Sequence, residues 1–329
     1  MNSTNCFNAK VLGSPRRLAM PIAVYPGLAI TGASVADVVT NSQAQFDAQA
    51  ALYERYQSPF VLSAMDLSAE AEAFGCTLYL SPNEIPAVTG RLVTTIDEAR
   101  NLAVPKPGDR RTSVHLETVR KLKSLPGRPL VLGGCIGPFS LAARLVGVSE
   151  AMELTLSDPD LMTLVVEKSA EFLTAYTQAF KAAGADGIIM AEPAAGLLSP
   201  RSMARYSSAY IRQIAAPLQD GRFALILHNC AAKTLHLPAI LETGLVTFHF
   251  GAPMDIPAAL ARVPDQTVLC GNLDPTGVFC QLSPGQVSDR VCALAAATAA
   301  HRNYVISSGC DLPPKTPLAS LDSLYSALK

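Results

Sequence analysis

The stretch Phe223-Ala-Leu-Ile-Leu-His-Asn-Cys230 is an apolar run typical of a buried β-strand, and it ends in a histidine and a cysteine two residues apart. Side chains at positions i and i+2 of an extended strand point the same way, so His228 and Cys230 can converge on one point. A second run, Asn303-Tyr-Val-Ile-Ser-Ser-Gly-Cys310, also ends in a cysteine. Together the two runs predict two strand ends that meet around a zinc ion.

The composition is that of a globular protein with a large core. Of the 329 residues, 49% are hydrophobic and 16% are charged, which argues against disorder. The net charge of −1 gives no excess of positive charge of the kind that binds nucleic acid or an anionic membrane. The eight cysteines are scattered, and the polar N-terminus shows neither a signal peptide nor the roughly 18 apolar residues of a membrane span. We therefore expect a cytoplasmic protein with reduced thiols.

Apolar segments of strand length alternate with segments of helical periodicity along most of the chain. Eight such strand-and-helix units predict a closed (β/α)8 TIM barrel, formed as a single domain by residues 1–329. Residues 1–20 are expected to be a loosely structured N-terminal extension. The predicted strands are 20–24, 60–66, 130–135, 187–191, 223–228, 245–249, 266–270 and 303–308.

The barrel prediction carries a geometric consequence for the polar residues that follow the strands. In parallel barrels the working side chains lie at the carboxyl ends of the strands, around a common mouth. The residues that fall at this edge are Met65 and Asp66, Glu192, His228, Cys230, Asn272, Asp274 and Cys310. The predicted mouth therefore contains both halves of the suspected metal site.

A histidine and two cysteines form a ligand set that zinc accepts readily. A lone His-x-Cys pair is more often incidental than metal-binding, and Cys310 at a second strand end is what favours a site. Two thiolates neutralise the dication, and three ligands leave a fourth position open for substrate. Glu192 is the first candidate if the resting site has a fourth protein ligand.

The remaining histidines and cysteines have simpler interpretations. Cys135 lies at a strand end where it could line the pocket, although packing is the favoured role. His249 ends a predicted strand and could reach the mouth. Surface or packing roles are expected for the three histidines in predicted helices, His115, His236 and His301.

Six stretches carry a resemblance to a known family: Met65-Asp-Leu-Ser-Ala-Glu-Ala-Glu-Ala-Phe-Gly75, Gly137-Pro-Phe-Ser-Leu-Ala142, Ala185-Asp-Gly-Ile-Ile-Met-Ala-Glu-Pro193, His228-Asn-Cys230, Gly271-Asn-Leu-Asp-Pro275 and Gly309-Cys-Asp-Leu-Pro-Pro-Lys-Thr-Pro317. The chain resembles the uroporphyrinogen decarboxylase superfamily from about residue 60 onward. Within it, the chain is similar to the zinc-dependent corrinoid methyltransferases, including the methylcobamide:coenzyme M methyltransferases.

The resemblance implies residue roles as well as a fold. The family's zinc motif falls on His228, Cys230 and Cys310. We further expect three catalytic carboxylates and two cofactor-binding residues at the mouth: Asp66, Glu192 and Asp274, with Asn272 and Gly137. The decarboxylases of the superfamily grip their substrate with an arginine-rich N-terminal motif, and residues 20–30 contain no arginine. Tetrapyrrole decarboxylation is therefore disfavoured.

The implied activity is transfer of a methyl group between a corrinoid and a small substrate such as a thiol. The corrinoid, methylcobalamin or a relative of it, would be supplied by a corrinoid-binding partner protein. One alternative is the opposite direction, in which zinc polarises a methoxy donor and cobalt receives the methyl group. Two others are a divergent decarboxylase and a non-catalytic corrinoid-binding protein whose zinc is structural.

Overall fold

The computed structural model describes residues 4–218 and 220–329, and a parallel β-sheet forms its centre. Seven strands belong to this sheet: β1 (Phe60–Leu62), β4 (Leu130–Ile136), β5 (Gly187–Ala191), β6 (Ala224–Asn229), β7 (Thr247–Phe250), β8 (Val268–Leu273) and β9 (Tyr304–Ser308). They pair in the order β1-β4-β5-β6-β7-β8-β9. A separate antiparallel hairpin follows β1 and consists of β2 (Thr77–Tyr79) and β3 (Ala87–Thr89).

Helices surround the sheet and connect its strands, as parallel strands require. The α-helices are α1 (Cys6–Leu12), α2 (Leu28–Thr31), α3 (Val35–Thr40), α4 (Ser42–Tyr56), α5 (Ala69–Phe74), α6 (Ile96–Asn101), α7 (Thr112–Leu122), α8 (Pro138–Val146), α9 (Val148–Ser157), α10 (Pro159–Ala182), α11 (Pro200–Met203), α12 (Ala209–Ala215), α13 (Leu237–Leu241), α14 (Ile256–Leu260), α15 (Pro284–Ala297) and α16 (Leu318–Ser326). Within the described ranges, none of these helices combines the length and the apolar character needed to cross a membrane.

Alternate residues of each strand pack on opposite faces of the sheet, and both faces are buried. In β5, Ile188 and Met190 belong to the core between sheet and helices, whereas Ile189 and Ala191 belong to a second, inner core. The inner core also contains Leu132 of β4 and Val305 of β9, which lie far apart in the strand order. The sheet is therefore curled around an interior of its own, as in a TIM-barrel-like fold.

The predicted first strand, 20–24, is wrong, because the structure contains no strand there. Its neighbourhood forms only an isolated parallel bridge between Ala19 and Ile306. The Met20 N–H donates to the Ile306 carbonyl at 2.9 Å, and the Ile306 N–H donates to the Leu18 carbonyl at 3.0 Å. Proline has no N–H to donate, so Pro21 interrupts the ladder after one bridge. The segment nevertheless lies along β9.

The expectation of a loosely structured lead-in over residues 1–20 is also wrong for the part described, since this part contains α1. The Asn5 side chain caps the helix by accepting the Asn8 N–H at 2.8 Å. Phe7 is fully buried in the inner core. The Asn8 amide donates to the carbonyls of Val246 and Gln266, both at 2.8 Å, at the amino-terminal ends of β7 and β8. Helix α1 thus covers the edge of the sheet opposite to the predicted mouth.

Replacing Asn8 by alanine is expected to lower the free energy of unfolding by about 2 to 3 kcal/mol, because the buried Asn8 side chain loses three hydrogen bonds, including the one that it accepts from Thr247. Urea denaturation measures the change. Lys10→Ala, at an exposed position of the same helix, is the control and should shift stability by no more than about 0.5 kcal/mol. Equal effects of the two substitutions would contradict a clamping role of α1.

Candidate metal centre

The ends of β6 and β9 bring a histidine and two cysteines to one point. The ligand atoms of His228, Cys230 and Cys310 all lie within 4.8 Å of one another. His228 is buried, whereas Cys230 and Cys310 are partly exposed. Among the described residues that carry a His, Cys, Asp or Glu side chain, these three form the group with metal-ligand spacing.

Two glycines allow the backbone to converge this tightly. A Cβ atom at Gly251, just after β7, would lie 2.1 Å from the Cys230 carbonyl oxygen. A Cβ atom at Gly309 would lie 2.9 Å from the Ala252 backbone nitrogen. Real Cβ atoms essentially never approach another heavy atom within 3.0 Å. The separation at Gly251 is far below this limit and that at Gly309 is just below it, so a larger residue at either position would push the cysteine-bearing segment away from its neighbour.

A chain of buried hydrogen bonds determines which nitrogen of His228 is free. The Ser307 hydroxyl donates to the Met20 carbonyl, so its lone pair accepts from His249 Nε2 at 2.7 Å. His249 then has its lone pair on Nδ1, which lies 2.8 Å from Nδ1 of His228. His228 must donate there, and its proton is therefore on Nδ1. Its Nε2 therefore carries a free lone pair, and this atom is buried without a hydrogen-bond partner.

Neutral imidazoles fit the surroundings of this pair. Burial, followed by the neighbouring His228, lowers the pKa of His249 well below its usual range. The two rings meet edge to face, with centroids 4.7 Å apart. The neutral His249 accepts the Nδ1 proton of His228 and so leaves Nε2 of His228 for the point where the two sulfurs converge. Histidine binds a metal through such a ring nitrogen, with its other nitrogen held by a hydrogen bond.

The two thiols affect each other's ionisation. Hydrogen bonding from Cys310 lowers the pKa of Cys230 to about 7 against the opposing effect of burial. The same interaction, together with burial, raises the pKa of Cys310 to about 12. The metal-free pair thus gains one negative charge, on Cys230, as the pH rises through neutrality. A divalent cation would favour loss of the second proton, because thiolate is the metal-binding form of cysteine.

Glu192, the predicted fourth ligand, lies at the carboxyl end of β5 and is occupied by other contacts. Its carboxylate accepts the backbone N–H groups of Phe139 at 2.9 Å and Ser140 at 2.8 Å, in the first turn of α8, and the Ser207 hydroxyl at 2.9 Å. Burial raises the pKa of Glu192, whereas these hydrogen bonds oppose the shift. The structure does not bring Glu192 into the group of His228, Cys230 and Cys310.

Gly137 lies beside Glu192, which explains why the position has no side chain. A Cβ atom at Gly137 would lie 2.3 Å from Glu192 Cγ. The glycine therefore lets the buried carboxylate reach the amino terminus of α8, where the helix dipole favours negative charge. The Gly137 N–H donates to the Ala191 carbonyl at 2.7 Å, and its own carbonyl accepts the Leu141 N–H at 2.8 Å as the start of α8.

Asp66 lies at the predicted edge after β1, in a buried network with an arginine that the sequence did not single out. Arg111 pairs with the Asp66 carboxylate, donates to Glu72 at 2.6 Å and donates to the Ser68 hydroxyl at 2.9 Å. Asp66 also accepts the Ser68 N–H at 3.0 Å. The sequence around Arg111 contains no motif that predicts this role, because Arg111 lies just before α7, far along the chain from Asp66, Ser68 and Glu72.

Asn272 and Asp274, which follow each other closely at the end of β8, both bind backbone. The Asn272 amide donates to the Gly251 carbonyl at 3.1 Å and to the Met254 carbonyl at 2.6 Å, and so holds the turn after β7. The Asp274 carboxylate accepts the N–H groups of Thr276 and Gly277, both at 2.9 Å. Both side chains thus shape loops at the mouth.

Other polar groups near this edge escaped the sequence analysis. His115, expected at the surface or in ordinary packing, is buried, and neither ring nitrogen has a hydrogen-bond partner. Burial lowers the pKa of His115 to about 4 and raises that of Glu70 to about 8. The Tyr25 hydroxyl and the Asp311 carboxylate are also shielded from solvent without partners. Asp311 was detectable in principle, as the residue after Cys310.

Comparison with known proteins agrees with this architecture. The sequence profile of the family described as uroporphyrinogen decarboxylase (URO-D) matches residues 17–329. The methylcobamide:CoM methyltransferase MtbA of Methanosarcina acetivorans is 25% identical over 281 residues, which cover 84% of this chain and 80% of that protein. A uroporphyrinogen decarboxylase of Psychromonas ingrahamii is 27% identical over 274 residues, which cover 79% of this chain and 76% of that protein.

A solved structure gives the same answer for the fold. A methyltransferase from Methanosarcina mazei superposes with a TM-score of 0.86 at 21% sequence identity, covering 99% of this chain and 98% of the other. This likeness concerns the fold alone, while the profile match extends over nearly the whole sequence. The chain therefore belongs to the uroporphyrinogen decarboxylase family.

Proposed function

We propose that this chain is a zinc-dependent methyltransferase that moves a methyl group between a corrinoid cofactor and a small substrate such as a thiol. The observation that carries the proposal is the convergence of His228, Cys230 and Cys310 within 4.8 Å, with Nε2 of His228 buried and unpartnered. One neutral nitrogen and two sulfurs suit zinc in both ligand type and charge.

The three side chains would hold the metal, and their exposure suggests how substrate approaches. His228 closes the inner side, backed by His249 and Ser307. The partly exposed Cys230 and Cys310 leave the outer side open. Zinc bound there would supply a positive centre that lowers the pKa of a substrate thiol or polarises a methylated heteroatom. A three-residue site with an accessible side is typical of catalytic rather than structural zinc.

The names of relatives support the corrinoid part of the proposal. Two of them, from Methanosarcina acetivorans and Methanosarcina mazei, are methylcobamide:CoM methyltransferases. We propose by analogy that a partner protein presents the corrinoid at the mouth. Both directions of transfer use the same ligand set, so the assay below includes a thiol acceptor and a methoxylated donor. The catalytic roles predicted for Asp66, Glu192 and Asp274 remain predictions.

Decarboxylation is the second activity represented among relatives, and the charge distribution disfavours it here. A substrate with many carboxylates requires several free cationic side chains. Arg111 is the one cation among the buried charged residues that the structure describes, and Asp66 and Glu72 already occupy it.

We also propose that residues 1–329 form one domain whose sheet closes into a (β/α)8 barrel, with segment 18–24 in the eighth strand position. The bridge between Ala19 and Ile306 supports one side of this closure. On the other side, the Gln49 amide, oriented so that its nitrogen donates, spans the carbonyls of Ala23 at 2.9 Å and Leu62 of β1 at 3.2 Å.

Metal analysis of purified protein tests the central proposal. Wild type is expected to hold about one zinc per chain, since one group of ligands is present. Cys230→Ser and Cys310→Ser should lose most of it, while Cys292→Ser, at an exposed cysteine on α15, should keep it.

Anaerobic methyl transfer from methylcobalamin to thiols is then followed by the absorbance of cob(I)alamin. The thiol gives its proton to the buffer, the sulfur–carbon bond forms as the cobalt–carbon bond breaks, and the electron pair stays on cobalt. Activity should fall with zinc content in the same variants. The reverse arm uses cob(I)alamin with a methoxylated compound. A zinc-free wild type, or serine variants with full zinc and full activity, would refute the proposal.

The hydrogen-bond chain behind His228 predicts a second effect. His249→Phe removes the acceptor that keeps the His228 proton on Nδ1, so zinc affinity should fall about 10-fold to 100-fold. Chelator competition measures the affinity, and a thermal melt of metal-free protein reports any general damage. His301→Phe, at a partly exposed histidine before β9, is the matched control. Unchanged zinc affinity in His249→Phe would show that the chain does not orient His228.

The thiol pair predicts how zinc binding depends on pH. Cys230, with its pKa lowered to about 7, is largely protonated at pH 6 and largely ionised at pH 8.5, whereas Cys310, with its pKa raised to about 12, stays protonated at both. The number of protons released on zinc binding should therefore fall by about one from pH 6 to pH 8.5. Calorimetry in buffers of different ionisation enthalpy measures this number. If the number of released protons is the same at both pH values, Cys230 and Cys310 do not ionise separately as proposed.

A further inference from the structure

A cleft opens at the amino-terminal edge of the sheet, between the end of α1 and the end of α15. One wall is formed by residues 14–18, and the other by Ala295 of α15 together with Ala299, Arg302 and Tyr304. The cleft has a volume of about 310 Å³. Small-molecule sites in proteins occupy about 300 to 1,000 Å³, so this space can hold a small ligand.

The cleft is separate from the proposed metal centre. Tyr304 begins β9, whereas Cys310 follows the end of the same strand. An extended chain of this length spans roughly 20 Å. A ligand in the cleft would therefore bind at the opposite edge of the sheet from the two cysteines.

Arg17 joins the two walls of the cleft. Its guanidinium donates to the carbonyl oxygens of Thr298 at 2.7 Å, His301 at 2.8 Å and Tyr304 at 2.7 Å. The guanidinium carbon also lies 5.4 Å from the centre of the Tyr304 ring. These acceptors are neutral groups that carry only partial charge. Arg17 is thus held partly buried, and no carboxylate neutralises it.

The other two arginines of the cleft, Arg16 and Arg302, are exposed and available to a ligand. The ion pairs found within the described ranges involve other basic residues. None of the described residues that line the cleft is an aspartate or a glutamate. The cleft therefore collects three positive charges in a protein whose net charge is −1.

The surface between the arginines is apolar. Ala295 and Ala299 line it with small side chains, and these leave the space open. Leu18 and the ring of Tyr304 add further apolar surface. A ligand that fits this lining has an apolar body as well as a negative charge, because both kinds of surface meet in one cleft.

We infer that this cleft is a second binding site, and that its ligand is a small phosphate monoester with an apolar body. A phosphate monoester carries about −1.5 to −2 charges at pH 7, which the three arginines can balance. Arginine also matches phosphate through parallel N–H donors, and those of Arg16 and Arg302 are unused by the described residues. The apolar body would lie against Ala295 and Ala299. The inference does not depend on zinc or on methyl transfer.

Calorimetry with three probes tests the inference on the purified full-length protein. Phenyl phosphate carries both the anion and the apolar body, inorganic phosphate carries the anion alone, and phenol carries the apolar body alone. We expect phenyl phosphate to bind at least about 10-fold more tightly than either of the other two, because only this probe uses both parts of the cleft.

Two substitutions test the charged part of the cleft. Arg16→Gln and Arg302→Gln should each weaken phenyl phosphate binding about 5-fold to 10-fold, between the values for an exposed ion pair and for a hydrogen bond to a charged group. Arg120→Gln removes the same charge from an exposed position on α7 and should stay within about twofold. An equal loss in all three variants would show that binding follows net charge, and the inference would fail.

A fourth substitution tests the space itself. Ala295→Leu fills the cleft and leaves every arginine in place, so phenyl phosphate binding should fall at least about 10-fold. Ala296→Leu, at the exposed neighbouring position of α15, lies outside the lining and is the matched control. Thermal melts show whether each variant is folded. If phenyl phosphate binds Ala295→Leu as tightly as wild type, the ligand occupies another place, such as the metal centre, and the inference is overturned.

The wild-type titrations can also refute the site. Phenyl phosphate that binds no more tightly than inorganic phosphate would indicate an adventitious ion only. No measurable binding of phenyl phosphate at up to about 10 mM would exclude a site of useful affinity. Each result is independent of zinc content and of methyl transfer, so failure of the proposed function leaves this inference standing, and its own failure leaves the proposed function intact.

Discussion

The in-register pairing of the parallel strands is the constraint on which the rest of this structure depends. Ala191, His228 and His249 are direct partners across β5, β6 and β7, so three strand ends stop at one level. A slip of one residue would exchange the inner and outer faces of a strand, and both faces are buried by different cores. The apolar residues of these strands therefore fix the register, and the register determines where His228 and His249 lie along their strands and which face of the sheet they are on.

The ladder extends beyond the last strand residues and stiffens the site. The Glu192 N–H donates to the His228 carbonyl at 2.8 Å, and the Gly251 N–H donates to the Asn229 carbonyl at 3.3 Å. Residues that follow the strands are thus held nearly as firmly as those within them. This rigidity matters for a metal centre, since ligands positioned by packing lose little conformational freedom when an ion binds. The carboxylates around the mouth differ in how they are held. Backbone N–H groups hold Glu192 and an ion pair holds Asp66, whereas the Asp311 oxygens have no hydrogen-bond partner.

The sequence predicted the strands well where apolar runs were bounded by clear turns. The strand predicted at 187–191 coincides with β5. The strand predicted at 60–66 ends at Leu62 in the structure, because the following residues turn toward α5. The segment 20–24 looked equally strand-like, but Pro21 limits its pairing. Helix α1 was missed because seven residues offer too little periodicity, and tertiary contacts at Phe7 and Asn8 stabilise it.

The sequence by itself determined the alternating fold and the residues His228, Cys230 and Cys310, because strand periodicity and strand-end positions are local properties of the chain. Only the tertiary structure decided which neighbours these residues have. The contact between His228 and His249, the capture of Glu192 by α8 and the pairing of Asp66 with Arg111 all join residues that are distant in sequence. Hydrogen bonds of this kind depend on how helices and strand ends approach one another in the folded protein, and a local sequence pattern does not predict which distant residues will meet. The same reason left Asp311 unremarked until its surroundings were known.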